Sequence, residues 1–129
     1  MEFNQLPPQE RSAFMNAVWT YVRQVPRGKV VTYGQVAAHI PPPAGVPSET
    51  YEAYRARWVG QAMAECPADV PWQRVINSEG KVSPRRGADE QRRLLESEGV
   101  IFDAHQRVNL KHYGWTGLES PSQPGLFNL

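Results

Sequence analysis

The chain has 129 residues, with 14 basic and 13 acidic side chains and a formal net charge of +1. That length suits one domain, long enough to bury roughly two-thirds of its unfolded surface in a single core, and the charge balance excludes a uniformly basic coat, so any basic face must be local. The lone cysteine, Cys66, excludes an internal disulfide and fits a reducing cytosol, while three widely spaced histidines lack zinc-ligand spacing, so neither a metal nor a cofactor is expected.

Met1 to Arg11 is polar and proline-bearing, without the apolar core of a signal peptide. No apolar run approaches the roughly 18 residues of a membrane span. The expectation is a soluble cytoplasmic protein that makes no membrane contact. From Gln9 to Val25, Ala13, Phe14, Ala17, Val18, Tyr21, Val22 and Val25 recur at three-to-four spacing and predict a helix with one buried stripe. Pro26 and Gly28 end it. Lys29 to Val31 lead into a second, short helix over about Tyr33 to Ile40, opened by a T-x-x-Q capping box at Thr32 and Gln35.

Pro41, Pro42, Pro43, Gly45 and Pro47 forbid regular structure in the following loop. Ser48 is placed to cap a third helix from Tyr51 to about Glu65, with Tyr54, Trp58 and Ala62 at helical intervals and Arg57 one step round from the aromatic rings. Two such helices joined by a loop predict helix-turn-helix. After Cys66 and Pro67 comes the pentapeptide Pro71, Trp72, Gln73, Arg74, Val75, on a loop or strand end before the turn Asn77, Ser78, Glu79, Gly80. Gly87 precedes a last helix over about Ala88 to Glu98, which Gly99 closes. Val100 to Phe102 and Arg107 to Leu110 predict a small hairpin, and residues from about 116 to 129 a loose tail. The whole chain, 1–129, reads as one mostly α domain with short β-hairpin elements, helix-turn-helix in type and winged-helix-like.

Charge is uneven along this chain. Trp19 to Ile40 carries Arg23, Arg27 and Lys29 with no acid, and Trp72 to Arg93 carries six basic residues against three acidic ones. Both stretches are net positive. In the pentapeptide, neither Trp72 nor Gln73 supplies a thiolate nucleophile or an imidazole base.

Four segments in order, VPRGKVVTYGQVA (Val25 to Ala37), RWVGQAM (Arg57 to Met63), PWQRVINSEGKVS (Pro71 to Ser83) and LLESEGV (Leu94 to Val100), carry a family resemblance. From about Phe14 to Val100 the chain resembles the C-terminal DNA-binding domain of O6-alkylguanine-DNA alkyltransferases, and more closely the alkyltransferase-like proteins. In the enzymes the pentapeptide reads PCHRV, and its cysteine takes the alkyl group. Here Trp72 stands at the cysteine and Gln73 at the histidine, so the resemblance implies recognition without turnover and no catalytic residue.

The resemblance implies that the helix-turn-helix enters the minor groove of double-stranded DNA. Arg57, at the start of the recognition helix, replaces an extruded base in the stack, and Tyr33 helps rotate its phosphate; Gly60, Gln61 and Ala62 continue the DNA-facing helix. Flipping costs roughly a few kcal/mol, which a stacked guanidinium offsets in part. It further implies an O6-alkylguanine pocket formed by Trp72, Gln73, Val75, Ile76, Ser83, Pro84 and Arg85, with nucleotide excision repair proteins as downstream partners and a monomer that associates with the nucleoid when bound to DNA.

Each of these residues has a plainer reading. Trp72 is otherwise a core tryptophan, Arg57 a solvated helix arginine, Tyr33 an aromatic beside a cap, and Arg85 and Arg86 surface charge. Arg74 either serves structure, pairing with a carboxylate or backbone carbonyls, or touches DNA. Glu98, which matches the glutamate that orients the enzymes' histidine, is read as a structural group at a helix end, and Cys66 as a small packing residue. Two other functions compete: an alkyltransferase with Cys66 as a relocated nucleophile, and a transcriptional regulator using the same helix-turn-helix in the major groove.

Overall fold

The computed structural model describes residues 1–117. A single turn of 3-10 helix, Phe3–Gln5, precedes α1 (Pro8–Arg23), and β1 (Val31–Thr32) runs directly into α2 (Tyr33–Ala38). Then come α3 (Ser48–Ala64), a 3-10 turn over Trp72–Arg74, β2 (Val75–Ile76), α4 (Ala88–Ser97) and α5 (Leu110–Tyr113). The fold is mostly helical with one small sheet, and α2 and α3 form the helix-turn-helix.

The predicted stripe of α1 buries Phe14, Val18 and Val22, and Val25 just beyond the helix is 1% exposed. Ala13, assigned to that stripe, faces solvent. Trp58 of α3 lies fully buried among Phe3, Phe14, Tyr51 and Tyr54, with ring centroids 5.9 to 6.3 Å away. Offset and edge-on contacts at such distances suit aromatic quadrupoles. The N-terminal segment, read from the sequence as merely polar, contributes Phe3 and Leu6 to this core. Arg11 fastens it by donating to the Leu6 carbonyl at 2.6 Å and to that of Asn4 at 3.0 Å.

The sheet is parallel, with Val31 opposite Val75 and Thr32 opposite Ile76. Alternating side chains face opposite ways along a strand. Val31 and Val75 accordingly join the helical core, while Val30 and Ile76 join a second core with Leu95, Val100 and Val108. The predicted hairpin after Gly99 shrinks to one antiparallel bridge, Phe102 to Val108. Asp103 closes its turn by accepting from the amides of His105 and Arg107, but the amide of Val108 donates to the Gly80 carbonyl at 2.8 Å and the ladder stops. Leu110, expected to be extended, instead begins α5, which Asn109 caps. The predicted tail beyond Gly117 lies outside the described residues.

Local signals were partly honoured. Thr32 accepts from the amide of Gln35 at 3.0 Å, yet the Gln35 side chain turns away to donate to the Trp115 carbonyl, so only half of the capping box forms. Ser48 is the first residue of α3, not its cap; Pro47 holds that place. The proline loop folds back on α1, with Pro43 and Val46 buried and the Ala44 amide donating to Glu10 at 3.0 Å. The Tyr51 hydroxyl lies within hydrogen-bonding distance of two carbonyls at the end of α2, Ala37 at 3.1 Å and Ile40 at 2.7 Å. This contact sets α3 against α2. Tyr51→Phe leaves both carbonyls without that donor and is expected to cost about 1 to 2 kcal/mol, read from the urea midpoint at unchanged slope.

Candidate nucleic-acid interface and lesion pocket

The pentapeptide is a 3-10 turn tied to α4. The Gln91 side chain, 1% exposed, donates to the carbonyls of Val75 at 2.8 Å and Gln73 at 3.2 Å. Gln91 escaped the sequence reading, although its spacing of four from Leu95 puts it on the buried face of α4. At the end of α4, Glu98 accepts from the Gln73 amide at 2.7 Å, from Arg74 through Nε at 3.0 Å and a terminal nitrogen at 3.1 Å, and from the backbone N–H of Gly28 at 2.9 Å. Arg74 also donates to the Val25 carbonyl at 2.8 Å. Arg74 therefore serves both kinds of structural partner that its sequence context allowed.

The Glu98 side chain is only 3% exposed and that of Arg74 16%. Burial pushes the Glu98 carboxyl up, but the hydrogen bonds from Arg74, Gly28 and Gln73 outweigh it and leave the group below the usual glutamate range. Because the folded form holds the carboxylate more strongly than the unfolded chain does, this stabilisation is complete above the unfolded pKa. It is lost as pH falls through the depressed folded value.

A cleft of about 430 Å³ opens between the helix-turn-helix and the turn after β2. Tyr33 and Gly34 at the start of α2, and Ala56, Arg57 and Gly60 on α3, form one side; Asn77 and Ser78 of the turn, with Ser83 and Arg85, form the other. Its charged side chains, Arg57 and Arg85, are both cationic. The turn is rigid: Asn77 Oδ1 accepts from the amides of Glu79 and Lys81. Gly80 has φ +80°, and a Cβ there would lie 2.8 Å from the Val108 carbonyl oxygen. Arg85 donates to the Tyr33 hydroxyl at 2.7 Å and lies 5.9 Å from that ring's centroid, a cation-π distance. Gly60 has open space where a side chain would be.

Tyr33, Arg57, Gly60, Ser83 and Arg85 thus converge, as expected for one site. Other expected members lie elsewhere. Val75 and Ile76, expected in the pocket wall, are 1% and 0% exposed because β2 separates the two cores. Ala62, expected to face DNA, is 0% exposed and packs inward, where its carbonyl accepts from Trp19 Nε1 at 2.8 Å. Gln61 is half-buried, with an unpartnered Oε1. Trp72 is half-buried against the helical core, Gln73 is turned to Glu98, and exposed Pro84 sits beside the lining without joining it.

Arg57 departs from expectation in another way. It sits nine residues into α3 and not at its start, because the helix begins at Ser48. Cys66 lies outside the cleft lining, where burial pushes its thiol up. Among the described residues, no group of three or more His, Cys, Asp or Glu is placed to hold a metal ion, and no helix is long and apolar enough to cross a membrane.

A helix-turn-helix flanked by a cationic cleft and a tryptophan-bearing turn defines a DNA-binding domain of the alkyltransferase type. Residues 13–100 match the family described as 6-O-methylguanine DNA methyltransferase, DNA binding domain, and the chain belongs to that family, within its alkyltransferase-like branch. It is 37% identical over 105 residues to a DNA base-flipping protein of Vibrio parahaemolyticus, covering 79% of this chain and 95% of the relative. Alkyltransferase-like protein 1 of Schizosaccharomyces pombe is 40% identical over 111 residues, covering 79% and 94%. The structure of the S. pombe protein in complex with damaged DNA containing O6-carboxymethylguanine superposes with a TM-score of 0.64 at 38% identity, over 81% of this chain and 95% of that one. The Mycobacterium tuberculosis O6-methylguanine methyltransferase gives 0.51 at 34% identity, over 66% and 47%.

Replacing Glu98 with alanine leaves a largely buried guanidinium unpaired, and is expected to cost about 3 to 5 kcal/mol in denaturant unfolding at neutral pH. The gap from wild type should persist above the usual glutamate pKa and narrow only as acid titrates the depressed carboxyl.

Proposed function

We propose that the protein is a non-enzymatic sensor of O6-alkylguanine in double-stranded DNA. It approaches by the minor groove, extrudes the modified nucleotide towards the cleft and marks the site for nucleotide excision repair. The observation that carries this reading is the meeting of Arg57, Tyr33 and Arg85 at one cleft, in a chain whose pentapeptide supplies neither nucleophile nor base through Trp72 and Gln73. Arg57, exposed and long, can enter the stack where a base has left. Arg85 can hold a flipped base by its π-face, once it exchanges the Tyr33 hydroxyl for that partner. The S. pombe relative, solved on damaged guanine, supports this substrate class.

Trp72 and Gln73 act in this reading as parts of the scaffold, Trp72 packed on the helical core and Gln73 held by Gln91 and Glu98, and not as reacting groups. The raised pKa of Cys66 and its place outside the cleft lining disfavour a relocated nucleophile. The protein acts in the cytoplasm as a monomer, gathering on the nucleoid when bound.

Matched duplexes with guanine or O6-methylguanine, titrated at one stated salt concentration, test the reading, because phosphate contacts make affinity salt-dependent. Tighter binding of the lesion duplex, with the methyl group still on the recovered DNA, is expected. Equal affinity for both duplexes refutes it, and transfer of the methyl to protein restores the enzyme. Arg57→Ala should weaken lesion binding by about tenfold, or ~1.4 kcal/mol. A Trp72→Cys variant is expected to stay inefficient in methyl transfer, since Gln73 cannot accept the thiol proton; rapid single-turnover transfer would contradict this.

A further inference from the structure

Arg57 is not free in the structure without DNA. A carboxylate oxygen of Glu2 lies 3.5 Å from its guanidinium, the two side chains being 54% and 62% exposed. Glu2 is held there by more than chance proximity. Its neighbour Phe3 is buried, 5.7 Å from the Phe14 ring and 5.9 Å from that of Trp58, one residue after Arg57. Two hydrogen bonds then fix the turn: the Glu2 amide donates to the Gln5 side chain at 2.6 Å, and the Gln5 amide donates to the Glu2 carbonyl at 2.9 Å. The N-terminal segment is therefore an anchored strap that carries an anion to the rim of the cleft.

Resting on the sensor reading, we infer that Glu2 competes with DNA for Arg57 and so sets the threshold for insertion. Two effects act together. The pair must separate before the guanidinium can enter the base stack, and the carboxylate repels any phosphate that approaches Arg57. Exposed pairs of this kind are weak. Weakness suits the role, because a strong pair would hold Arg57 back from lesion and normal duplex alike.

The test is a double-mutant cycle of wild type, Glu2→Gln, Arg57→Ala and the double variant, all with untagged N-termini. Each is titrated with O6-methylguanine and guanine duplexes at one salt concentration. Glutamine leaves both hydrogen bonds between residues 2 and 5 in place, so the strap is retained; near-ultraviolet circular dichroism of the buried aromatic cluster checks this. Glu2→Gln should tighten lesion binding about two- to fivefold, and the gain should vanish in the Arg57→Ala background. An equal gain in both backgrounds would mean general charge repulsion and overturns the inference, as does no gain at all. Failure of the sensor reading appears separately, as equal affinity of wild type for the two duplexes, while the cycle on either duplex still reports whether Glu2 acts through Arg57.

Discussion

One nearly buried carboxylate organises the contact between the pentapeptide turn, the turn after α1 and the end of α4. Glu98 joins three segments distant in sequence: the Gly28 turn after α1, the pentapeptide turn through Gln73 and Arg74, and the end of α4. A charge so placed must have its lone pairs filled, or burial would favour the protonated form. Resemblance to the enzymes implies that the same glutamate orients their histidine. Here it orients an amide, which keeps a donor towards the carboxylate and gives up the capacity to move a proton.

A sheet of two residues per strand supplies the second constraint. Because it is parallel and covered on both faces, its valines and isoleucine are consumed by two cores. Nothing apolar remains on β2 to line a pocket. The cleft is instead walled by the polar turn after β2 and by the helix-turn-helix, and arginines, a tyrosine and small side chains line it.

The helical architecture was readable because it rests on periodicity. Phe14, Val18 and Val22 announced α1, and Trp58 with Ala62 announced the inward face of α3. Tyr33, Arg57 and Arg85 were picked out through the segments around them, and the fold brings the three to one cleft. Ala62 was placed towards DNA by the resemblance, although its spacing of four from Trp58 puts it on the inward face. The parallel pairing of Val31 with Val75 joins residues 44 apart in the chain, and no local pattern encodes such a partner. Glu2 was invisible for a similar reason: its significance lies in Phe3, which reads as a stray aromatic until α1 and α3 are assembled around it.

Arg57 stands within a continuous helix, with nine residues, about 13 Å, of α3 before it. Had it stood at a frayed helix start, its backbone would have needed ordering on every encounter, at roughly 1 to 2 kcal/mol per residue. Set into α3, it moves only at its side-chain torsions. Under the proposed function, the entropic cost of inserting it would fall on one flexible arm, its backbone being already ordered in the helix.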